Sequence, residues 1–568
     1  MKTLFAVLAC VSSVGLSAQF AYQHAFTLGS TAFDQAPDID LDGEGNVYVV
    51  GGVNAALDVD PGPNETIMVP NGYDLFLAKY SPGGELIWAH TVGSAVNEFG
   101  GAVKIAGNAM YVCGTFDGPD ADLDPGVDVV SPDHAGGQDA FVARYDLDGQ
   151  LDWVIGIGGS DQDGLADIGI TSTGDVVVCG NFESTDLDAA PGAESVLLST
   201  AGDTDVLFAQ YTAAGALVRA RSFGGGGTLG ADRVLRLLVD ANDNLYLTGS
   251  FSSTGGDFDP GDDEVILNSV GSGDIFLSKF DPAGMLDWVV SLGGPTGDQG
   301  YGLATDGADN VYLSGYSNSP TIDLDPGPDV EEFSSGAGQD IVVVKLSPAA
   351  EYLWAFRLGA GSSDIGNALC IDGADNVFLM GSFGDVDVDF DPGPAVFPLS
   401  SSPTGTDMFL AHYHADGTFV DAFAVGGTGV DAGTNGALTP DGRVWMSGWK
   451  FGAVDADPGP NVAQLEALGS ADMFIGCYTY GIGAGLSEAR RGSFTLFPNP
   501  ASTSVTVQCA HKEPAICSVI DATGRLLVQQ RISAFPANVD LQGIPAGHYT
   551  ARLQWPDRSL TRQLMKVE

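Results

Sequence analysis

The chain has 568 residues, of which 74 are acidic and only 22 are Lys or Arg, giving a formal charge of −52. A charge of this size opposes nucleic acid and anionic membrane surfaces as partners. The 44% of hydrophobic residues is too many for a disordered acidic tail, and the length calls for several domains or one large repeat fold.

The N-terminus reads as a secretory signal over residues 1–18. Lys2 is the basic end, Leu4 to Cys10 begins the apolar core, and Leu16-Ser17-Ala18 precedes a cut before Gln19. Val7-Leu8-Ala9-Cys10 imitates a lipoprotein box, but a cut there leaves too short an apolar core. No later apolar run is long enough for a transmembrane helix in the mature chain. Six cysteines remain: Cys113, Cys179, Cys370, Cys477, Cys509 and Cys517. They are too few and scattered for a disulfide framework, none has a Cys-x-x-Cys metal spacing, and pairing of Cys509 with Cys517 stays open.

Asp-x-Asp recurs seven times, usually followed by Pro-Gly, with first residues Asp58, Asp122, Asp186, Asp257, Asp323, Asp389 and Asp455. A fixed period of 64 to 71 residues means a repeat architecture. Each unit reads as four strands. In the fifth, Tyr301 to Thr305 is a first strand, Asp306-Gly307-Ala308-Asp309-Asn310 a hairpin turn, and Val311 to Gly315 a second strand. The Asp323-Leu324-Asp325-Pro326-Gly327 loop follows, then strands over Asp340 to Leu346 and Tyr352 to Leu358. The fold class is therefore all-β, with residues 19–480 forming a seven-bladed β-propeller.

The seventh unit stops after two recognisable strands, Arg443 to Trp449 and Met473 to Tyr478. Its missing fourth strand stands at the mature N-terminus, where Phe20 to Ser30 aligns without gaps to Gly84 to Ser94. The N-terminal strand is expected to complete the last blade and close the ring, removing open sheet edges. Trp88, Trp153, Trp288 and Trp354 recur in the fourth strand, replaced by Arg219 and Asp421 in units three and six. An aromatic at a fixed strand position is read as packing between blades.

A further Asp precedes each third strand: Asp74, Asp139, Asp205, Asp274, Asp340, Asp407 and Asp472. Neighbouring strand ends bring it towards the Asp-x-Asp loop. The grouped carboxylates are then Asp58, Asp60 and Asp74; Asp122, Asp124 and Asp139; Asp257, Asp259 and Asp274; Asp323, Asp325 and Asp340; Asp389, Asp391 and Asp407; and Asp455, Asp457 and Asp472. Unit three, which reads Asp186-Leu187-Asp188-Ala189-Ala190, departs from the pattern. Clustered carboxylates repel unless a cation or hydrogen bonds offset them. Oxygen ligands suit calcium, so Ca2+ is one reading of these sites; acceptors for backbone N–H groups in Pro-Gly turns are the other. Asp38-Ile39-Asp40-Leu41-Asp42-Gly43 imitates an EF-hand start, but its twelfth position is Val49, and it reads as strand and hairpin. His412 and His414 share a strand face that reads as a solvated edge rather than a metal site. No Gly-x-Ser-x-Gly or His-Glu-x-x-His motif is present, so no catalytic or cofactor-binding residue is assigned.

Residues 481–492 form a Gly-rich linker, and residues 493–568 hold a different set of short strands. They contain Phe494-Thr495-Leu496-Phe497-Pro498-Asn499-Pro500-Ala501, Ile520-Asp521-Ala522-Thr523-Gly524-Arg525, Leu541-Gln542-Gly543-Ile544-Pro545-Ala546-Gly547-His548-Tyr549 and Met565-Lys566-Val567. This segment resembles the type A C-terminal sorting domain of the Bacteroidetes type IX secretion system. The resemblance implies a small, Ig-like β-sandwich read as an export address by the type IX machinery. It also implies removal by a surface protease near Ser487 to Gly492, and a protein released or attached at the outer-membrane surface. The repeat units also resemble the bacterial seven-bladed β-propeller repeat family, through a loose Gly-Asn-Val-Tyr-x-x-Gly pattern at Gly45 to Gly51.

The expected function is a secreted or cell-surface propeller that binds a glycan or a protein, or serves as a scaffold. The alternative is a polysaccharide-active hydrolase or lyase on the same scaffold, since fold alone does not decide. The near-uniform loops favour the binding reading.

Overall fold

The structure is a computed structural model that describes residues 20–190, 195–226, 231–334 and 338–480, then 494–497, 501–509, 515–520, 525–533, 536–554 and 559–567. The signal segment 1–18 and the linker 481–492 lie outside the described residues. Contacts divide the chain into two compact units, Phe20–Tyr480 and Gly481–Glu568 together with Met1–Gln19.

Within Phe20–Tyr480 the described residues form seven antiparallel sheets built on four strands each, the sixth extended by the short strands Val454–Asp455 and Gln464–Leu465, together with short two-stranded ribbons, and no helix occurs. The all-β reading therefore holds, in a propeller-like arrangement. In the fifth sheet the strands are Asp298–Thr305, Val311–Ser317, Asp340–Leu346 and Tyr352–Leu358. The turn after the first strand forms because the Asp306 carboxylate accepts the N–H groups of Ala308 and Asn310 at 2.9 and 3.0 Å, while Asp309 adopts a φ of 61°. Asp42, Asp240 and Asp372 build the same turn.

The second and third strands are buried along nearly their whole length, as in Val47–Val53 and Asp74–Tyr80. Both faces of such a sheet are apolar and need cover. Each core cluster accordingly lies between two neighbouring sheets. Leu75, Leu77 and Val50 of the first sheet pack with Val112, Phe141 and Ala143 of the second. Phe26, Leu28 and Ile475 of the seventh pack with Val47, Val49 and Phe76 of the first.

The N-terminal strand Ala21–Leu28 pairs antiparallel with Asp472–Thr479, placing Phe26 opposite Ile475 and Leu28 opposite Met473. It is the fourth strand of the seventh sheet. The fourth-strand Trp residues clasp adjacent sheets, as their position implied. The indole N–H groups of Trp88, Trp153, Trp288 and Trp354 donate to the carbonyls of Leu147, Ala213, Pro348 and Ala415 in the following sheet, at 3.0 to 3.2 Å. The substitutes keep the link: Arg219 donates to the Pro282 carbonyl at 2.6 Å, and Asp421 accepts the Phe20 N–H at 3.2 Å.

The C-terminal unit has two sheets among its described residues. One joins Phe494–Phe497, Ser504–Cys509 and Ala537–Asp540; the other joins Leu526–Ile532, Ala515–Ile520, Gly547–Gln554 and Ser559–Lys566. Val505 and Val507 of the first sheet share one core with Val519, Ala551 and Leu553 of the second, which makes a small β-sandwich. Cys517 is buried as a free thiol, and the Cys509 side chain lies outside the described residues.

Removing residues 20–30 exposes the Asp472–Thr479 edge and takes Phe26 and Leu28 out of the apolar contact between the seventh and first sheets. The truncated chain is expected to elute as aggregate in size-exclusion chromatography and to lose its cooperative melt. A monodisperse, cooperatively melting truncation contradicts this role of the strand.

Candidate functional site

The Asp-x-Asp segments act as turn anchors. Asp58 Oδ1 accepts the N–H groups of Asp60 and Thr66 at 3.1 and 2.8 Å, and Asp60 Oδ1 accepts Gly62 N–H at 2.8 Å. Asp122, Asp257, Asp323, Asp389 and Asp455 repeat the first pattern. Asp124, Asp259, Asp325, Asp391 and Asp457 repeat the second. The residue between the two acids is fully buried in every copy, from Val59 to Ala456. In four copies a third-strand Tyr hydroxyl donates to its carbonyl, as Tyr80 does to Val59 at 3.0 Å, and in the third sheet Tyr211 donates to Ala189, the residue after Asp188. In the third sheet the anchor is Asp188, not the expected Asp186. Asp188 Oδ1 accepts the Ala190 and Val196 N–H groups, both at 3.0 Å, and Asp188 bridges to Gly158 of the preceding sheet. Asp186 accepts Ser160 N–H instead. Counted from Asp188, the repeat is more even than the sequence alone implied.

The third acid of each unit is buried away from this loop. Asp74, Asp139, Asp274 and Asp472 each take one backbone N–H on Oδ2 at 2.6 to 2.9 Å, and Asp340 takes the Arg357 guanidinium at 2.9 Å. In Asp74, Asp139, Asp205, Asp274, Asp340, Asp407 and Asp472 alike, Oδ1 is buried without a hydrogen-bond partner. It packs against a glycine at the end of the fourth strand. At Gly359, whose φ is 154°, a side chain would collide with the Asp340 carboxylate. Among the described residues no three His, Cys, Asp or Glu side chains form a group able to hold a metal. The expected convergence of Asp58, Asp60 and Asp74, and of its counterparts, is thus not seen there.

A buried acid that sequence reasoning passed over faces each third-strand Asp. Asp34, Glu98, Asp163, Asp232, Asp298, Asp364 and Asp431 stand at or just before each first strand and are almost wholly buried. They secure the crossover between sheets, as when Glu98 accepts Ser94 N–H at 2.9 Å and Ser94 hydroxyl at 2.7 Å. Their even spacing was the signal available in the sequence. Burial first, and then the facing acid of the preceding sheet, push Asp34 up to about 6 and Asp431 up to about 7. Asp205 and Asp274 also rise to about 6, by burial and then by the charges of Asp232 and Asp298. Asp364 rises to about 6 through burial, with Asp385 and Asp340 adding to the shift.

First strands of neighbouring sheets pack on one another, from the first sheet round to the seventh and back to the first. Between them lies a cavity of about 420 Å³ lined by Asp38, Lys104, Asp167, Arg236, Cys370 and Asn435, with Ile170, Leu238, Val239 and Leu369 among its apolar groups. Each first strand carries a β-bulge, as between Leu165 and Asp167 or Val234 and Arg236. A bulge re-aims the side chains that follow it, and Asp38, Asp167, Arg236 and Asn435 are the residues directly after theirs. The lining comes from the C-terminal halves of the first strands, so the cavity lies away from the end where the Asp-x-Asp loops attach. Asp38 accepts Val103 N–H at 2.8 Å and the Asn435 amide, Asp40 accepts Ile105 N–H at 2.7 Å, and Asp167 accepts Leu237 N–H at 2.8 Å. The EF-hand-like run thus joins the first sheet to its neighbours. Arg236 Nε donates to the Tyr301 carbonyl at 3.2 Å and stands 3.9 Å from Asp167. Burial pushes Asp38 up to about 6. The nearby carboxylates, Asp40 foremost, push Lys104 up.

His412 is not on a solvated edge. It is buried and stacks on Phe378 with ring centres 4.5 Å apart, and burial pushes its imidazole down to about 4. Its strand position holds lysine in other units, but here Phe20, Phe378 and Tyr480 enclose it.

Residues 495–567 match the family described as the secretion system C-terminal sorting domain, and residues 287–320 match a β-propeller repeat. The chain therefore ends in a type IX sorting domain, and it is an exported protein, secreted or attached at the cell surface. Its repeat region is of the β-propeller type. Among curated proteins it is 22% identical over 217 residues to an uncharacterized WD repeat-containing protein, L264, of Acanthamoeba polyphaga mimivirus, covering 34% of this chain. It is 24% identical over 151 residues to the regulatory protein FlaEY of Caulobacter vibrioides, covering 27% of this chain. The matches span only 16% of either relative's length. Two solved structures align with 82% and 81% of the chain and 99% of their own: a member of the DUF4221 family from Bacteroides vulgatus and a protein of unknown function from Dyadobacter fermentans. Identities are 8% and 10%, and TM-scores 0.29 and 0.33.

Two predictions follow from the carboxylates. Asp389→Ala removes the acceptor of two backbone N–H groups and is expected to cost about 2 kcal/mol in denaturant unfolding. With the acids occupied by N–H groups, EDTA leaves the melting temperature unchanged; a drop of several degrees, reversed by calcium, contradicts the turn role. The second concerns pH. A carboxyl whose pKa is raised on folding binds its proton more tightly in the folded state, so its stabilising contribution fades as pH rises through about 6 to 7. The melting temperature is expected to fall from pH 5 to pH 8, less steeply in Asp431→Asn. A flat or rising profile contradicts the raised pKa values.

Proposed function

We propose that this protein is an exported, non-catalytic binding scaffold whose seven sheets are the blades of one closed propeller. In this reading residues 493–568 are its address to the type IX machinery, and the propeller is the cargo displayed outside the cell. The observation that carries it is the sorting-domain match over residues 495–567, joined to a repeat region of the propeller type. Support for closure comes from the pairing of Ala21–Leu28 with Asp472–Thr479 and from the shared core of the seventh and first sheets. Support for binding comes from a cavity at which the repeats stop being alike, with its Lys104 and Arg236. The outer loops spend their carboxylates on their own backbone. Candidate macromolecular partners are a surface glycan or another surface protein.

Deleting residues 493–568 is expected to hold the protein in the periplasm of a host with type IX secretion, while the full chain reaches the surface or the medium. Export of the truncated chain at the full-length rate overturns the address. A glycan array and a surface-protein pull-down with the exported form test the binding role, and turnover of a polysaccharide by that form overturns the non-catalytic reading.

A further inference from the structure

The cavity between the first strands has an imbalance of hydrogen-bonding capacity. Most of its acceptors are occupied. Asp38 takes Val103 N–H and the Asn435 amide, Asp40 takes Ile105 N–H, and Asp167 takes the N–H groups of Leu237 and Ile168. Its donors are not. Lys104 Nζ has no hydrogen bond and no carboxylate within 4.0 Å among the described residues, though it lines the cavity. Arg236 spends only Nε, on the Tyr301 carbonyl, and its two terminal nitrogens have no partner among them. Unsatisfied donors withdrawn from bulk water are costly, and the planar guanidinium fork matches a carboxylate held by two parallel bonds.

We propose that this cavity is a binding site for a small organic monocarboxylate, its head group held by Lys104 and Arg236. Three features narrow the class. First, Asp38 and Asp167 of the lining, with Asp40 beside it, outnumber the two cations, so a dianion such as phosphate or a dicarboxylate meets about twice the net repulsion that a monoanion does. Second, Leu238 lies two residues beyond Arg236 on the same strand, hence on the same face. With Ile170 and Val239 it supplies apolar wall for a short hydrocarbon body. Third, about 420 Å³ is the room a small molecule needs, not a polymer chain. The site departs from the sevenfold repeat: equivalent first-strand positions carry Ala102, Gly302 and Ala368, which have no charge to offer.

The proposal rests on the reading of the propeller as a binding module, and its test is separate from the export and glycan experiments. The full chain is titrated by calorimetry and thermal shift with hexanoate, hexanamide, hexylamine and inorganic phosphate, up to about 20 mM, where a site with a Kd of about 1 mM is nearly full. Hexanoate is expected to bind one per chain and raise the melting temperature, with the other three at least about tenfold weaker. Lys104→Met and Arg236→Gln are each expected to weaken hexanoate about tenfold or more. Should Arg236→Gln fold poorly, Lys104→Met carries the test alone, since Lys104 Nζ makes no hydrogen bond among the described residues. Equal binding of hexanamide, preference for phosphate, unchanged affinity in both variants, or no heat and no shift with hexanoate overturns the proposal. Surface-partner binding in the pull-down, with no carboxylate binding here, leaves the scaffold reading standing and removes only this site.

Discussion

Each of the seven sheets of Phe20–Tyr480 is apolar on both faces of its central strands, and that constraint organises the rest. A sheet whose second and third strands are buried along their length cannot end a stack, because one face would meet water. It must find a neighbour on each side, and so must that neighbour. The arrangement the chain adopts leaves no sheet uncovered, since the seventh shares its core with the first. The fourth-strand Trp residues, the buried residue inside each Asp-x-Asp and the exit glycines then fix how closely neighbours approach. Arg219 and Asp421 show that the clasp between sheets is what matters, since each makes it with different chemistry.

The acidity of the chain follows from the same geometry. Many of its carboxylates are inside, not on the surface. One set caps the backbone of loops that must leave a sheet sharply. Another faces its counterpart across each sheet junction, buried beyond the reach of solvent, so that protonation relieves the repulsion between the two. Among the described residues only two of the third-strand acids have a basic side chain to neutralise them at hydrogen-bond distance, Asp340 with Arg357 and Asp472 with the buried Lys450. A chain with so few basic residues cannot supply one to every junction.

Much of the fold was legible because a repeat states its rules several times. The strands Asp340–Leu346 and Tyr352–Leu358 stand where alternation puts them, and the gapless match of Phe20 to Ser30 with Gly84 to Ser94 located the missing strand. The first strand of the fifth sheet begins at Asp298 rather than Tyr301, because the bulge between Gly300 and Gly302 interrupts the alternation by which strands are recognised. The bulge that hid the strand boundary also aims residues into the cavity, so the candidate site was hidden with it. Asp38, Lys104, Arg236 and Asn435 come from four different units and form no motif along the chain. A repeat advertises what its units share, whereas a site of this kind is made from what they do not. The displacement of the anchor from Asp186 to Asp188 is a smaller case: two Asp residues two positions apart look alike in sequence, and only the N–H groups of Ala190 and Val196 tell which one turns the chain.

The pairing of Ala21–Leu28 with Asp472–Thr479 sets an order of events. These strands are more than four hundred residues apart, so contacts between them are among the least local a chain of this length can make, and such contacts form late. The residues first made are the last to be seated. Until Thr479 has emerged, the N-terminal strand has no partner, and the first sheet lacks the seventh that covers it. For a protein that must leave the cell, this delay is also an interval in which the chain is still open enough to be handled by the machinery that moves it.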